Sequence, residues 1–215
     1  MFVEKWMTPD PVTLSPDMTI SAAAVEMGRH KFRHIPVAEA APKGKKLLGI
    51  VTKYDIARAF PNNLNPFSID VADNTVPQPL STIMTRNVTT VTPDCAIEQA
   101  AKILRTRKFN ALPVLRQDHI VGIITESDIF NALIEMTGAG AGGTKVVIEA
   151  DASLNPILLA VQLSHRYQVR IQSLLSFHDH QLKGKELLTL HFAARPPGDF
   201  VRELRKLGFR FLNIA

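Results

Sequence analysis

MTRNVTTVTPDCAIEQAAKILRTRKFNALPV, residues 84–114, is a second writing of MTPDPVTLSPDMTISAAAVEMGRHKFRHIPV, residues 7–37. The two align without a gap at an offset of 77, and 12 of 31 positions are identical. Farther along, LLGIVTKYDIARAF (47–60) aligns with IVGIITESDIFNAL (120–133) at an offset of 73, with six of 14 identical. A repeat of fixed period is the signature of a duplicated structural unit. The change of offset places four extra residues of the first copy within AEAAPKGKK (38–46), read as a loop because loops tolerate insertion.

Each copy then parses in the same way. A short extended stretch (12–14; 89–91) precedes Pro-Asp, and apolar residues follow at helical spacing: Ile20, Ala23, Ala24, Met27, and Ile97, Ala100, Ala101, Leu104. Strands are expected at 35–38 and 112–116, and again at 48–52 and 121–125, with a final helix starting near Asp55 or Asp128. The unit is β-α-β-β-α, and the two copies, 1–60 and 82–137, can pack into one α/β body. Residues 61–81 hold four prolines and no clear periodicity, which suits a linker or functional loop rather than core. GAGAGG (138–143) reads as a flexible hinge. The remainder, 144–215, alternates as βαββαβ: a small sheet of ferredoxin-like type with two helices on one face. The fold class expected is therefore α/β (α+β), in two parts.

Composition excludes some classes. The chain is 46% hydrophobic and 21% charged, ordinary for a globular protein. Its longest apolar runs, 47–51 and 120–124, are far too short to span a bilayer, and MFVEKWMTPD does not read as a secretory signal. A single cysteine, Cys95, excludes an intrachain disulfide and a thiolate metal cluster, and it fits a reducing, cytoplasmic setting. The net charge of +5 divides unevenly. Residues 1–137 carry 15 Lys+Arg against 14 Asp+Glu, and residues 138–215 carry 10 against 6. An excess this mild does not by itself indicate nucleic-acid binding.

The chemistry concentrates in GIVTKYDI (49–56) and its echo GIITESDI (122–129). Thr-x-x-Asp at a helix start has a complete structural explanation, because threonine and aspartate cap each other's backbone N–H groups. It also has a functional one. A carboxylate at a helix N-terminus repels phosphate, and the chain has neither GxxxxGK[ST] nor GxGxxG, so no phosphate-cradling loop is present. The two oxygens of an ionised aspartate instead suit two adjacent hydroxyls, as on a ribose. Phosphates on the same ligand would need cations from elsewhere. GRHKFRH (28–34) offers Arg29, His30, Lys31, Arg33 and His34; the second copy offers Arg105, Arg107 and Lys108, with Asn110 and Ala111 in place of Arg33 and His34. The macrodipole at a helix C-terminus also accounts for Arg29–Lys31, and less well for Arg33 and His34 beyond it.

The order M-T-x-x-x-x-T-x-x-P-D, amphipathic helix, F-x-x-h-P-V, then G-h-h-T-x-x-D-I, occurring twice, resembles a tandem pair of CBS domains, or Bateman module, over about residues 6–136. The resemblance implies an adenosyl ligand (AMP, ADP, ATP, an NAD-type dinucleotide, S-adenosylmethionine or a cyclic dinucleotide) in clefts between the repeats. By position it assigns Asp55 and Asp128 to ribose hydroxyls, with Thr52 and Thr125 beside them. It assigns the backbones near Thr13–Leu14 and Thr90–Val91, with Val37 and Val114, to a slot for the base, and Arg33 and His34 to phosphate. Residues 144–215 are similar to an ACT domain, although ASLNP (152–156) lacks the glycine that would let an amino acid approach the backbone. The order CBS–CBS–ACT-like resembles the AcuB-type proteins named for acetoin utilisation.

The function expected is a non-catalytic, cytoplasmic regulatory protein. Its repeat pair would bind an adenosyl ligand and transmit occupancy through domain packing or a homodimer to an enzyme or transporter partner, with no membrane and no nucleic acid involved. No catalytic cofactor and no metal are expected: His178, His180 and His191 could be drawn as a metal site, but no acid or cysteine completes the set. Cys95 follows Pro-Asp at a helix start, and its counterpart Met18 suggests an apolar filler. The alternative is a ligand-free docking module in which both Thr-x-x-Asp motifs are caps alone.

Overall fold

The computed structural model describes residues 1–61, 65–67, 76–138, 140, 142–177 and 184–214, in two compact units, Met1–Ile129 and Phe130–Ala215. The first runs β1 (Thr8–Pro9), α1 (Ile20–His30), β2 (His34–Ala41), β3 (Gly44–Thr52), α2 (Lys53–Ala59), then α3 (Ile97–Arg107), β4 (Ala111–Arg116), β5 (His119–Thr125) and the start of α4 (Glu126–Thr137). The stripes read from the sequence are the faces that pack. Ile20, Ala23, Ala24 and Met27 of α1 are buried, as are Ile97, Ala100 and Leu104 of α3. Thr19 caps α1, its hydroxyl accepting the Ala22 N–H at 3.2 Å. The next free N–H groups of α1 are met from the far end of the expected linker: Ile20 donates to the Gln78 carbonyl and Ser21 to that of Val76. Val76 and Leu80 are consequently core residues, which no apolar period in 61–81 announced.

Both strand pairs are antiparallel hairpins in matching register, His34 opposite Thr52 and Ala111 opposite Thr125. The second closes through Gln117 and Asp118, both with positive φ, as a tight two-residue hairpin requires. The first is longer: β2 reaches Ala41 and β3 starts at Gly44, so most of AEAAPKGKK is strand and not loop. The four extra residues lengthen the hairpin because Glu39 and Lys46, opposite each other across the pair, are both exposed while the ladder continues.

The two copies exchange their leading segments. Thr8 and Pro9 pair with Ile123 and Gly122 of the second copy, and Thr85 pairs with Ile50 of the first through N–H···O bonds of 3.0 and 2.9 Å. Gly49 and Gly122, the glycines of the two G-h-h-T motifs, lie beneath these crossings. A Cβ at Gly49 would stand 2.9 Å from the Thr85 carbonyl oxygen, whereas one at Gly122 would meet the flexible thioether of Met7. Gly49→Ala is therefore expected to destabilise the first unit by about 1–3 kcal/mol through overpacking, with a smaller cost for Gly122→Ala. Denaturant titration of the two variants checks the order.

The second unit contains β6 (Thr144–Asp151), α5 (Pro156–Arg166), β7 (Ile171–Phe177), β8 (Lys185–Phe192), α6 (Gly198–Lys206) and β9 (Arg210–Ile214). Its sheet is antiparallel with order β7-β8-β6-β9, the βαββαβ arrangement expected. Val146, Ile148, Leu188, Leu190 and Phe192 face Ala160, Leu163, Phe200 and Leu204 of the helices. Across β6 and β9, Arg210 grips Glu149 with two N–H···O bonds, at 2.7 and 3.3 Å. Among the described residues no helix is long and apolar enough to cross a membrane.

Candidate functional site

Each Thr-x-x-Asp motif closes on itself as a strand turns into a helix. Thr52 ends β3 in extended backbone, and Asp55 is the third residue of α2. One oxygen of Asp55, Oδ2, accepts from the Thr52 N–H at 2.9 Å and from its hydroxyl at 2.7 Å, while the Asp55 N–H donates to Thr52 Oγ1 at 3.2 Å. Thr125 and Asp128 repeat the pattern at 2.8, 2.8 and 3.4 Å. Both motifs are thus complete capping boxes. In both, Oδ1 of the aspartate has no donor among the described residues, so the cap fixes the carboxylate while one oxygen stays available.

Two cavities flank the hairpin junction, and each draws on both copies. The first, about 170 Å³, is lined by Thr52 and Ile50 of copy one with Thr85, Thr89, Lys108 and Asn110 of copy two. The second, about 180 Å³, is its counterpart: Thr125 and Ile123 of copy two with Thr8, Val12, Lys31 and Arg33 of copy one. The exchange of leading segments brings the cap of one copy to the helix end of the other. His34 and Asn110 line both cavities.

Several expected positions fall elsewhere. Leu14 and Val37 form a parallel bridge, as do Val91 and Val114, and all four are buried. The Leu14 N–H and carbonyl are taken by Pro36 and Ala38, and those of Val91 by Pro113 and Leu115. Thr13 and Thr90 are half-buried; Val12 and Thr89, one residue earlier, line the cavities instead. Of the two motifs, the threonines line the cavities; Asp55 borders a shallower depression with Arg58 and Ile83. Phe32 and Phe109, and Thr8 and Thr85, stand in the repeated motifs but carry no ligand role in the sequence reading; with Lys31 and Lys108, offered there among the cations, they line the cavities. Their common signal was available: each pair is identical at an offset of 77.

The cations sort by geometry. Arg29 and His30 both turn to Glu26, at 2.8 and 3.4 Å, within their own helix. The side chains of Lys31, Arg33 and Lys108 have no ion pair or hydrogen bond among the described residues, and all three residues line the cavities. Lys31 and Lys108 end α1 and α3 in left-handed backbone, each with φ of 56°. Glycine normally takes that place, and for a lysine the conformation costs about 1–2 kcal/mol. Such strain at two equivalent cavity positions is typical of binding sites. Burial pushes His34 below its ordinary value of 6.5, Arg33 adds to this, and Asp55 and Glu126 oppose it. The ring is therefore neutral near pH 7.

The remaining constellations are weaker. Burial raises the Cys95 thiol, with Asp94 and Glu98 adding to the effect, so no thiolate is favoured there. His178 and His180 lie outside the described residues. His191 is buried in the second unit, and among the described residues no group of three or more His, Cys, Asp or Glu is placed to hold a metal ion.

The sequence profile of the CBS domain matches residues 3–62 and 80–135. The chain is 33% identical over 135 residues to a homoserine O-acetyltransferase of Methanohalobium evestigatum, covering 62% of this chain but only 24% of that enzyme. It is 28% identical over 140 residues to the CBS domain-containing protein YhcV of Bacillus subtilis, covering 65% of this chain and 89% of YhcV. A crystal structure of a protein assigned to acetoin utilization (AcuB) from Vibrio cholerae superposes with a TM-score of 0.54 and 31% identity, over 65% of this chain and 95% of that one. The CBS domain pair of protein MJ0100, solved with 5′-methylthioadenosine and S-adenosyl-L-methionine, gives a TM-score of 0.51 and 28% identity, over 62% and 95%.

Proposed function

The chain belongs to the CBS-domain family, and from that premise we propose that its first unit is a non-catalytic sensor of an adenosyl ligand. The observation that carries the reading is the pairing, in each cavity, of a capped threonine from one copy with an unpaired, strained lysine from the other. Asp55 and Asp128, each bound through Oδ2 to a threonine that lines a cavity, hold the ribose hydroxyls through Oδ1, and the threonines orient them. Lys31, Arg33 and His34 take phosphate. The binding of 5′-methylthioadenosine and S-adenosyl-L-methionine by the MJ0100 pair supports an adenosyl group as the common part. The second unit, of ACT-like topology, serves homodimerisation or docking to the regulated enzyme or transporter. Regulation requires that the ligand bind one arrangement more tightly than another.

Calorimetry of the full chain with AMP, ADP, ATP, NADH, S-adenosylmethionine and cyclic di-AMP tests this. Binding of at least one below millimolar is expected, and binding of none overturns the reading. A second reading has its own observation: each aspartate already spends Oδ2 on its threonine, as a cap alone would. Under that reading the screen is blank and the module serves docking only.

His34 gives the sensor a pH dependence. Its folded value lies below its unfolded one, so the neutral ring's contribution to stability is complete above pH 6.5 and is lost as pH falls through the folded value. A bound phosphate favours the protonated ring, so affinity for a phosphorylated ligand is expected to rise, by roughly tenfold at most, between about pH 7.5 and about pH 5.5. The same titration on His34→Asn should be flatter.

A further inference from the structure

We propose that the two cavities take different classes of ligand: the Thr125 cavity an adenosyl compound with two or more phosphates, the Thr52 cavity one with at most a single phosphate. The inference rests on the adenosyl reading above and extends it. The frames are alike. Both have a capped threonine, a β-strand isoleucine, a threonine from the crossing segment and a left-handed lysine, and their volumes are about 180 and 170 Å³. Size therefore does not separate their ligands, and charge does. The Thr125 cavity has two unpaired cations, Lys31 and Arg33, with His34 adjoining. In the Thr52 cavity Lys108 is the one unpaired cation among the described residues, because Asn110 and Ala111 occupy the places of Arg33 and His34.

The substitutes do not restore the charge. Asn110 uses its side-chain N–H to donate to Glu126 Oε2 at 2.8 Å, so a carboxylate is held where copy one has Lys53. Lys53 does not compensate: its ammonium sits 4.4 Å from the centre of the Phe67 ring, and it lines neither cavity. His34 reaches both cavities but is neutral near pH 7 and adds no fixed charge to either. Arg33 cannot be assigned to the helix dipole, since α1 ends at His30 and its dipole is already met by Arg29 and His30. A di- or triphosphate spreads its charge along several oxygens and needs more than one fixed cation, and a guanidinium matches phosphate oxygens with two parallel donors. Among the described residues, only the Thr125 cavity supplies that pair.

The test is calorimetry on the full chain at pH 7.5, with ATP and AMP as probes and circular dichroism to show that each variant folds. ATP is expected to saturate at one per chain, and AMP to bind once more without displacing it. Arg33→Asn, which writes copy two's residue into copy one, should weaken ATP at least tenfold, the scale of one charge-assisted hydrogen bond, and leave AMP at the other cavity unchanged. Asn110→Arg combined with Glu126→Lys, which writes copy one's pair into copy two, should raise ATP from one to two per chain. Two equal ATP sites in the unmodified chain, or ATP affinity untouched by Arg33→Asn in a folded variant, overturns the division while leaving the adenosyl reading intact. Failure of both probes, and of every other adenosyl compound, removes that reading and this inference with it.

Discussion

Asp128→Ala is expected to weaken adenosyl-ligand binding at the Thr125 cavity about 100-fold, as Asp55→Ala is at the Thr52 cavity, and both variants should still fold. The size follows from two hydroxyl donors accepted by a carboxylate, each worth about 1.5–3 kcal/mol when one partner is charged. The stability cost is separate, since loss of one side of a capping box removes about 1 kcal/mol. The two effects come from different oxygens. Oδ2 of Asp128 is engaged by the Thr125 N–H and hydroxyl, and Oδ1 is free of protein donors among the described residues. Titration of each variant with the best ligand of the screen, beside a thermal melt, separates them. A melt lowered by a cap-sized amount with affinity unchanged would leave both aspartates as caps and nothing more.

Phe192→Ala should produce the largest loss of stability, about 3–5 kcal/mol in the second unit. Its ring is wholly buried on β8 and meets Phe200 of α6 edge-on at 5.6 Å between centres, so truncation opens a cavity that stiff neighbours cannot fill. Phe177, 48% exposed at the end of β7, is the matched control and should change stability by less than about 0.5 kcal/mol. Trp6, the single tryptophan, lies in the first unit, so its fluorescence follows that unit alone. Far-UV circular dichroism across a urea gradient reports both, and the Phe192→Ala loss should appear only in the part that Trp6 does not follow. A loss below about 2 kcal/mol would mean that the core around Phe200 collapses onto the gap.

The repeat made the fold legible because duplication supplied an internal comparison: two aligned copies fix helices, strands and caps more surely than propensity can. The sites divided. Thr52, Thr125, Arg33 and His34 do line the cavities, because motif position tracks backbone position within a copy. What could not be read was which copy faces which. The crossing of Thr8–Pro9 and of Thr85 depends on pairing between segments more than thirty residues apart, and nothing local records it. For the same reason the sequence offers Lys31 and Lys108 only among several cations near a helix end; their left-handed φ, which sets them apart, is visible only once the chain is folded. The resemblance assigns the backbones near Leu14 and Val91, with Val37 and Val114, to a base slot; the fold pairs these residues in two parallel bridges with their side chains in the core.

The exchanged segments also bear on ancestry and manufacture. A single copy severed from its twin would leave one strand of its sheet without a neighbour and would carry a leading arm with nothing to complete. Such a fragment reaches the same arrangement only by finding another fragment, so a lone copy is half of a closed handshake and not a smaller protein. Gene duplication, on this view, did not add a second domain to a finished first one. A tether joins two units that complete each other, and the copies can then differ in charge, as Arg33 and Asn110 do, while the clasp between them is the same.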